Sequence, residues 1–345
     1  MSIRTWISLI TLAFLGLIVY GARNEIAHAL HLLRYVDMEI LWLLIPFQLL
    51  SYLMAGEMMF SYLRAKKAIN EVPLMSQGRM ALEMNFVNHV LPSAGVSGMS
   101  YMTWRMGKYG VTPGRATLAQ LIRFVIGFAS FATLLLVSLL VITIDGHINR
   151  WIIFVSAVMI IGMFAASAAG IFLISGERRY RRFSQWVSRT INTIVRTITF
   201  GKHKRILQLQ TVVDFFEEIN KDYRIILREK KLLRGPYVWG LAFNVFEVLL
   251  FMTAFWALGA SVNPAAVLIA YGLASGASFF VATPGGAGAY EVVMAAFLVA
   301  AGVDNKVAIA GTVLTRVILL LGTIIVGYVF YQDALVRYGK TKTKV

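Results

Sequence analysis

The sequence predicts an all-α polytopic membrane protein: about six spanning helices plus two re-entrant, broken helical hairpins, arranged as an inverted-topology repeat. Three observations lead there. Hydrophobic residues make up 58% of the chain, only 14% are charged, and the mean hydropathy is +0.71. Several apolar runs reach the ~20 residues that cross a hydrocarbon core. Two further apolar segments are interrupted by proline and glycine, and each uninterrupted half is too short to cross alone.

The second interrupted segment is the more informative. Between Ala265–Ala282 and Val292–Ala301 lies Thr283-Pro284-Gly285-Gly286-Ala287-Gly288-Ala289-Tyr290-Glu291. Proline removes a backbone donor and ends a helix. Three glycines let the backbone open and let other groups approach. A helix then restarts with Glu291 in its first turn. At membrane depth, open backbone is tolerated only inside protein or beside a watery cavity, and an ionisable residue there is a functional candidate.

In chain order the expected spans are 6–22, 40–63, 116–144, 151–174, 237–258 and 307–331, with broken hairpins at 80–106 and 265–301. Residues 177–234 differ. They are rich in Arg and Lys, with apolar residues at helical spacing (Phe183, Val187, Ile191; Val212, Phe216, Ile219), the pattern of amphipathic helices on an anionic leaflet. The whole chain, 1–345, reads as one membrane domain. A first repeat covers 1–144 and a second 151–345, the latter carrying the basic insert.

The formal net charge is +16, with 33 Lys and Arg against 17 Asp and Glu. In a membrane protein that excess reports topology and anionic lipid, so no nucleic-acid partner is expected. The loop after residue 63, the insert and the C-terminal tail are the basic regions. All three lie in the cytoplasm if both broken hairpins return to the side they entered, which puts both termini inside a cell membrane. A constant offset places Pro92 on Pro284, Gly110 on Gly302, Val111 on Val303 and Ala116 on Ala308. The halves then read span, span, broken hairpin, span, in opposite orientations.

A restarted helix aims unsatisfied N–H groups and a partial positive charge at the break, the condition for binding an anion such as phosphate. Pro284, Gly285, Gly286 and Gly288 expose backbone there; Asn88, Pro92 and Gly95 occupy the other hairpin. Glu291, Arg316 and Arg123 are the charged candidates, since arginine clamps phosphate in a bidentate way and a glutamate pairs with it or takes an amine. The plainer alternatives are that Arg123 and Arg316 snorkel to a span end, that Glu57 does so beside Arg64, and that His89 is bonded within its helix. Gly272 and Gly276 read as helix packing. The absence of cysteine excludes thiolate chemistry. No Walker A, His-Glu-x-x-His or dinucleotide motif is present, so no cofactor is expected.

At Pro284 to Glu291, through Ala301-Gly302-Val303 to Arg316, and at Asn88-His89-Val90-Leu91-Pro92-Ser93-Ala94-Gly95, the chain resembles the lysylphosphatidylglycerol synthase transmembrane region, also called the UPF0104 family. In the first hairpin Val96 to Thr103 is uncharged, where the family pattern usually carries a charge. The resemblance implies a flippase-like protein that moves a phospholipid or lipid-linked headgroup between leaflets. In bifunctional members a separate C-terminal domain performs aminoacyl transfer. The sequence ends soon after the sixth span, so no catalytic role is expected. The rivals are a membrane transferase acting on a polyprenyl-phosphate or glycolipid, for which Glu83 and His89 are the candidates, and a non-transporting partner subunit. Expected partners are the lipid substrate and anionic lipid at the insert, with room for a homo-oligomer.

Overall fold

The computed structural model describes residues 13, 15–16, 19–21, 23–90, 96–144, 150–198, 208–278, 281, 283 and 286–338. Among these there is helix and turn and no strand. In order the helices are α1 (Arg23–Leu32), α2 (Met38–Leu41), α3 (Leu44–Ala65), α4 (Leu74–Val90), α5 (Val96–Gly107), α6 (Pro113–Ile144) and α7 (Arg150–Ser175). Then follow α8 (Glu177–Ile198), α9 (Leu209–Arg228), a 3₁₀ turn (Lys230–Leu233), α10 (Arg234–Ala257), α11 (Pro264–Ser278), α12 (Ala289–Ala300) and α13 (Asn305–Tyr338). Five stretches are long and apolar enough to cross a membrane: Met38–Ala65, Pro113–Leu140, Ile153–Ser175, Lys230–Ala257 and Asn305–Tyr338. The protein is an all-α, multi-pass membrane protein. The first expected span, 6–22, lies largely outside the described residues.

Both interrupted segments divide into two helices, with limits that differ from expectation: α5 starts at Val96, so Gly98 is helical, and α11 ends at Ser278, before Thr283. α4 and α5 pack against each other, as do α11 and α12, so each interrupted segment is a pair of short helices. The contacts of the two halves match. α3 lies against α4 and α6, α4 against α5, and α5 against α6; correspondingly α10 lies against α11 and α13, α11 against α12, and α12 against α13. Across the halves α3 meets α10, α6 meets α10 as α13 meets α3, and α4 meets α13 as α11 meets α6.

Close approach between helices depends on small residues, the usual device where lipid gives no hydrophobic drive. A Cβ at Gly56 would meet Ala81 of α4, one at Gly240 would meet Ser130 of α6, and one at Gly311 would run into the Phe255 ring of α10. Gly272 faces Phe131 and Met159, whereas nothing lies near Gly276. Only the first glycine of that pair is therefore a packing residue.

The insert is less detached than its charge suggests. Val212, Val213, Ile219 and Ile226 of α9 are buried, Ile219 and Ile226 in the same apolar cluster as Met58 and Leu63 of α3. Glu218 accepts the Gly114 N–H at 3.1 Å and also the Thr112 hydroxyl, capping the N-terminus of α6, where a carboxylate is favoured by the helix dipole. Asp222 pairs with Arg115 at 3.1 Å, and Asn220 Nδ2 donates to the last-turn carbonyl of Ile174 at 2.6 Å. The apolar face of α9 is spent on protein. α8 keeps Trp186 and Ile191 exposed among Arg181, Arg182 and Arg189.

Gly311→Val overpacks the α13–α10 contact and is expected to cost about 1–3 kcal/mol. Gly276→Ala is expected to be neutral. Thermal unfolding in detergent micelles checks both.

Candidate functional site: the break before α12

The backbone before α12 takes a shape that only glycine accepts freely. Gly286 and Gly288 have φ of 72° and 90°. A side chain at Gly286 would also collide with Ser278 at the end of α11. Gly286 N–H donates to the Thr283 carbonyl at 3.0 Å, and Thr283 Oγ1 donates to the Ala287 carbonyl at 2.9 Å, so the turn satisfies part of its own backbone. Pro284, Gly285, Pro92 and Gly95 lie outside the described residues.

Glu291 stands at the centre of this geometry. Its Oε2 accepts the Gly288 N–H at 2.7 Å, closing the first turn of α12, and its Oε1 accepts the Arg316 Nε–H of α13 at 2.9 Å. Both side chains of the pair are 20% exposed, so the pair is neither sealed in the core nor at the free surface. The Arg316 guanidinium lies 4.1 Å from the Tyr290 ring centroid, and Tyr290 stacks on Phe251 at 6.2 Å. The arginine is thus held by a carboxylate and an aromatic face in place, not extended to an interface.

Arg316 organises a wider polar centre. Tyr52, His89, Glu247 and Tyr290 all lie within its electrostatic reach. Ser51 donates to Glu247 at 2.5 Å, joining α3 to α10. The Tyr52 and His89 rings are 6.4 Å apart, and His89 Nδ1 is 2.8 Å from the Asn85 carbonyl, the local bond expected of a helix histidine. Gln48, Tyr52 and Thr323 form a polar triad between α3 and α13: the two N–H groups of Gln48 Nε2 are shared among the Leu319 carbonyl at 2.6 Å, Thr323 Oγ1 at 3.0 Å and the Tyr52 hydroxyl at 3.1 Å, and Thr323 Oγ1 donates to the Leu319 carbonyl at 2.7 Å. Residues from α3, α4, α10, α12 and α13 therefore converge on one place. Gln48, Ser51 and Tyr52 escaped sequence reasoning. Their spacing of three and four residues inside an apolar span is the signal that marks one polar helix face.

The first hairpin is built differently. Asn88 Oδ1 accepts the Gly98 N–H at 3.0 Å and Ser97 Oγ donates to the Val87 carbonyl at 3.3 Å, stapling α4 to α5. Asn88 is committed to backbone. Glu83 pairs with Arg105 at 3.1 Å across the same hairpin, both buried, and Tyr101 donates to the same carboxylate oxygen at 2.9 Å. Arg105, also unforeseen, lies 3.7 Å from the Tyr338 ring centroid. Glu57 is tied to Arg64. Arg123 sits over Phe124 at 5.0 Å, and no acidic partner is seen for it among the described residues. The structure brings Glu291, Arg316, Gly286 and Gly288 together; it does not bring Asn88 into a charged cluster with them.

Asn88→Ala leaves the Gly98 N–H without its acceptor inside the hairpin. The expected loss is about 1–3 kcal/mol, the cost of an orphaned buried donor. A lowered unfolding midpoint, with Asn88→Asp retaining most of the wild-type value, checks the assignment.

Comparison with known proteins identifies the family. A UPF0104 membrane protein of Methanothermobacter thermautotrophicus (strain Delta H) is 24% identical over 241 residues, covering 67% of this chain and 67% of that protein. No solved structure matches. The family model described as the lysylphosphatidylglycerol synthase TM region matches residues 5–327, and the chain belongs to that family.

Proposed function

We propose that this protein is a flippase-like transporter that carries a phosphate-bearing lipid headgroup between leaflets at the break before α12. The observation that carries the reading is the double engagement of Glu291. A lipid phosphate would seek two things here: N–H groups at a helix N-terminus and an arginine. The Glu291 carboxylate takes a hydrogen bond from each, at 2.7 Å and 2.9 Å. It is a resident anion in the place a phosphate would occupy. Headgroup binding then means exchange: the phosphate displaces Glu291 from Arg316 and from the helix end, and Glu291 returns when the lipid leaves. In the displaced state Glu291, with Glu247 nearby, can hold an amine if the headgroup has one.

The matched contacts of α3–α6 and α10–α13 support a repeat; the Lys and Arg distribution supports its inversion over residues 1–144 and 151–345, with six spans, two re-entrant hairpins and both termini in the cytoplasm. Two halves with equivalent packing have two near-equivalent arrangements about the α3–α10 contact, and rocking between them opens the site to each leaflet in turn. The exposed arginines and Trp186 of α8 suit an anionic leaflet of the cell membrane. A transferase reading has less support. Glu83 faces Arg105 and Tyr101, His89 faces Tyr52 and Asn85, and the two share no partner.

The exchange model makes opposite demands of its two charges. Arg316→Ala should weaken binding of a phospholipid headgroup at least tenfold and abolish translocation. Glu291→Gln keeps a cap acceptor but removes the competing charge, so the headgroup should bind more tightly while translocation slows at least tenfold. Binding and fluorescent-lipid translocation in proteoliposomes, over anionic, amino- and polyprenyl-phosphate lipids, read both. Unchanged translocation in the two variants would reject the site.

A further inference from the structure

A groove lies on the side of the bundle between α3 and α13, with Leu82 of α4 also in its lining. Its volume is about 290 Å³, and its walls are Ile45, Leu49, Ile318, Leu321, Ile325 and Val326. We infer that it holds one acyl chain of the transported lipid, so that the lipid enters sideways from the bilayer between α3 and α13. The inference rests on the lipid-transport reading above and adds the route and the part of the lipid that is recognised.

Four observations carry it. Both walls belong to stretches long and apolar enough to span a membrane, so the mouth opens on hydrocarbon. Ile45 and Ile325 at the lips are 44% and 66% exposed, while Thr323 and Gln48 at the floor are buried. The floor triad is hydrogen-bonded within itself: Gln48, Tyr52, Thr323 and the Leu319 carbonyl bond to one another, and Tyr52 and Thr323 are 2.5 Å apart. With the floor hydroxyls and the Gln48 amide N–H groups engaged there, and Ile, Leu and Val forming the walls, the occupant the groove suits is an alkyl chain, not a headgroup or a peptide backbone. Finally, the groove adjoins the charged centre through Tyr52, whose ring is 6.4 Å from that of His89. Tyr52 lines the groove and also lies within reach of Arg316 and Glu247. Thr323 stands seven residues from Arg316, two turns along the same face of α13.

Dimensions fit this division of labour. From Ile318 to Gly327 the groove follows α13 for about 14 Å at 1.5 Å per residue. Its volume is at the small end for a ligand pocket, below the roughly 300–1,000 Å³ that takes a whole drug-sized molecule. It suits a single chain segment, with the other chain left in the bilayer. Glycine keeps the α13 wall close to the floor: a Cβ at Gly322 would strike Gln48.

The test is photo-crosslinking of the full chain in proteoliposomes containing a phospholipid with a diazirine in one acyl chain, mapped by mass spectrometry. Adducts should concentrate at least fivefold on Leu49, Ile318, Leu321 and Ile325 over the exposed Ile161 and Phe164 of α7. Leu49→Trp, which fills the groove, should erase that excess, and Ile325→Trp at the mouth should do the same if the first variant folds poorly. Adducts spread evenly over α3, α13 and α7 would overturn the proposal, as would protein–protein crosslinks at Ile325, which would make the face a contact between two copies. Translocation measured in the same vesicles separates the two readings. Translocation with evenly spread adducts removes the groove alone. Groove adducts with no translocation keep the groove and remove the flippase reading.

Discussion

One carboxylate ties the start of α12 to α13. In hydrocarbon each unsatisfied backbone donor costs several kcal/mol, so a helix that starts at membrane depth must find an acceptor for its first turn. Glu291 provides one for Gly288, and the same side chain takes a hydrogen bond from Arg316. The helix start on α12 and the arginine on α13 are therefore linked through a single anion. An intramembrane arginine would otherwise be a heavy burden on the fold. Here its cost is offset by a carboxylate whose position is fixed by the turn, and by the Tyr290 face. The glycines follow from the same requirement: the turn that brings Glu291 back onto Gly288 passes through positive φ at Gly286 and Gly288.

The two halves share a packing plan and differ in chemistry. Each has a spanning helix, a broken pair and a second spanning helix in corresponding contact. Yet the first break is stapled by a neutral side chain, Asn88, while the second is held by an ion pair. The buried charge of the first hairpin sits away from its break, in Glu83 and Arg105, and is far less exposed than the pair at Glu291. A buried pair that has paid its desolvation resists separation, because breaking it strands two charges. A partly exposed one can exchange partners with an entering anion. On the proposed function, the asymmetry suits anchoring at the first hairpin and exchange at the second.

Much of this was legible in the sequence because the bilayer imposes strong rules. Span limits follow from apolar length: α3, α6, α7 and α10 begin and end within a few residues of expectation, and α13 starts on time but runs seven residues past 331, to Tyr338. Proline and glycine marked which two segments are interrupted, though α11 already ends at Ser278, before Thr283. Glu291 and Arg316 were visible as charges in apolar surroundings. What stayed hidden depends on three-dimensional pairing. Nothing local says that Asn88 Oδ1 turns to Gly98, that Glu83 finds Arg105 across the hairpin, or that Glu247 takes a hydrogen bond from Ser51. The insert shows the same limit. Periodicity identified α9 as amphipathic but could not tell a protein face from a lipid face, and its acidic residues proved to cap and pair with α6.

The central claim is that the break before α12 is reached from each side of the membrane in turn, and solvent accessibility tests it most directly. The native chain has no cysteine, so Ala287→Cys, exposed beside the turn, gives a single reporter without background. A membrane-impermeant maleimide should label it from the outside of vesicles and, when trapped within, from the inside. Labelling from one face only, whatever lipid is present, would contradict an alternating site and leave the Glu291–Arg316 pair a fixed element of the fold.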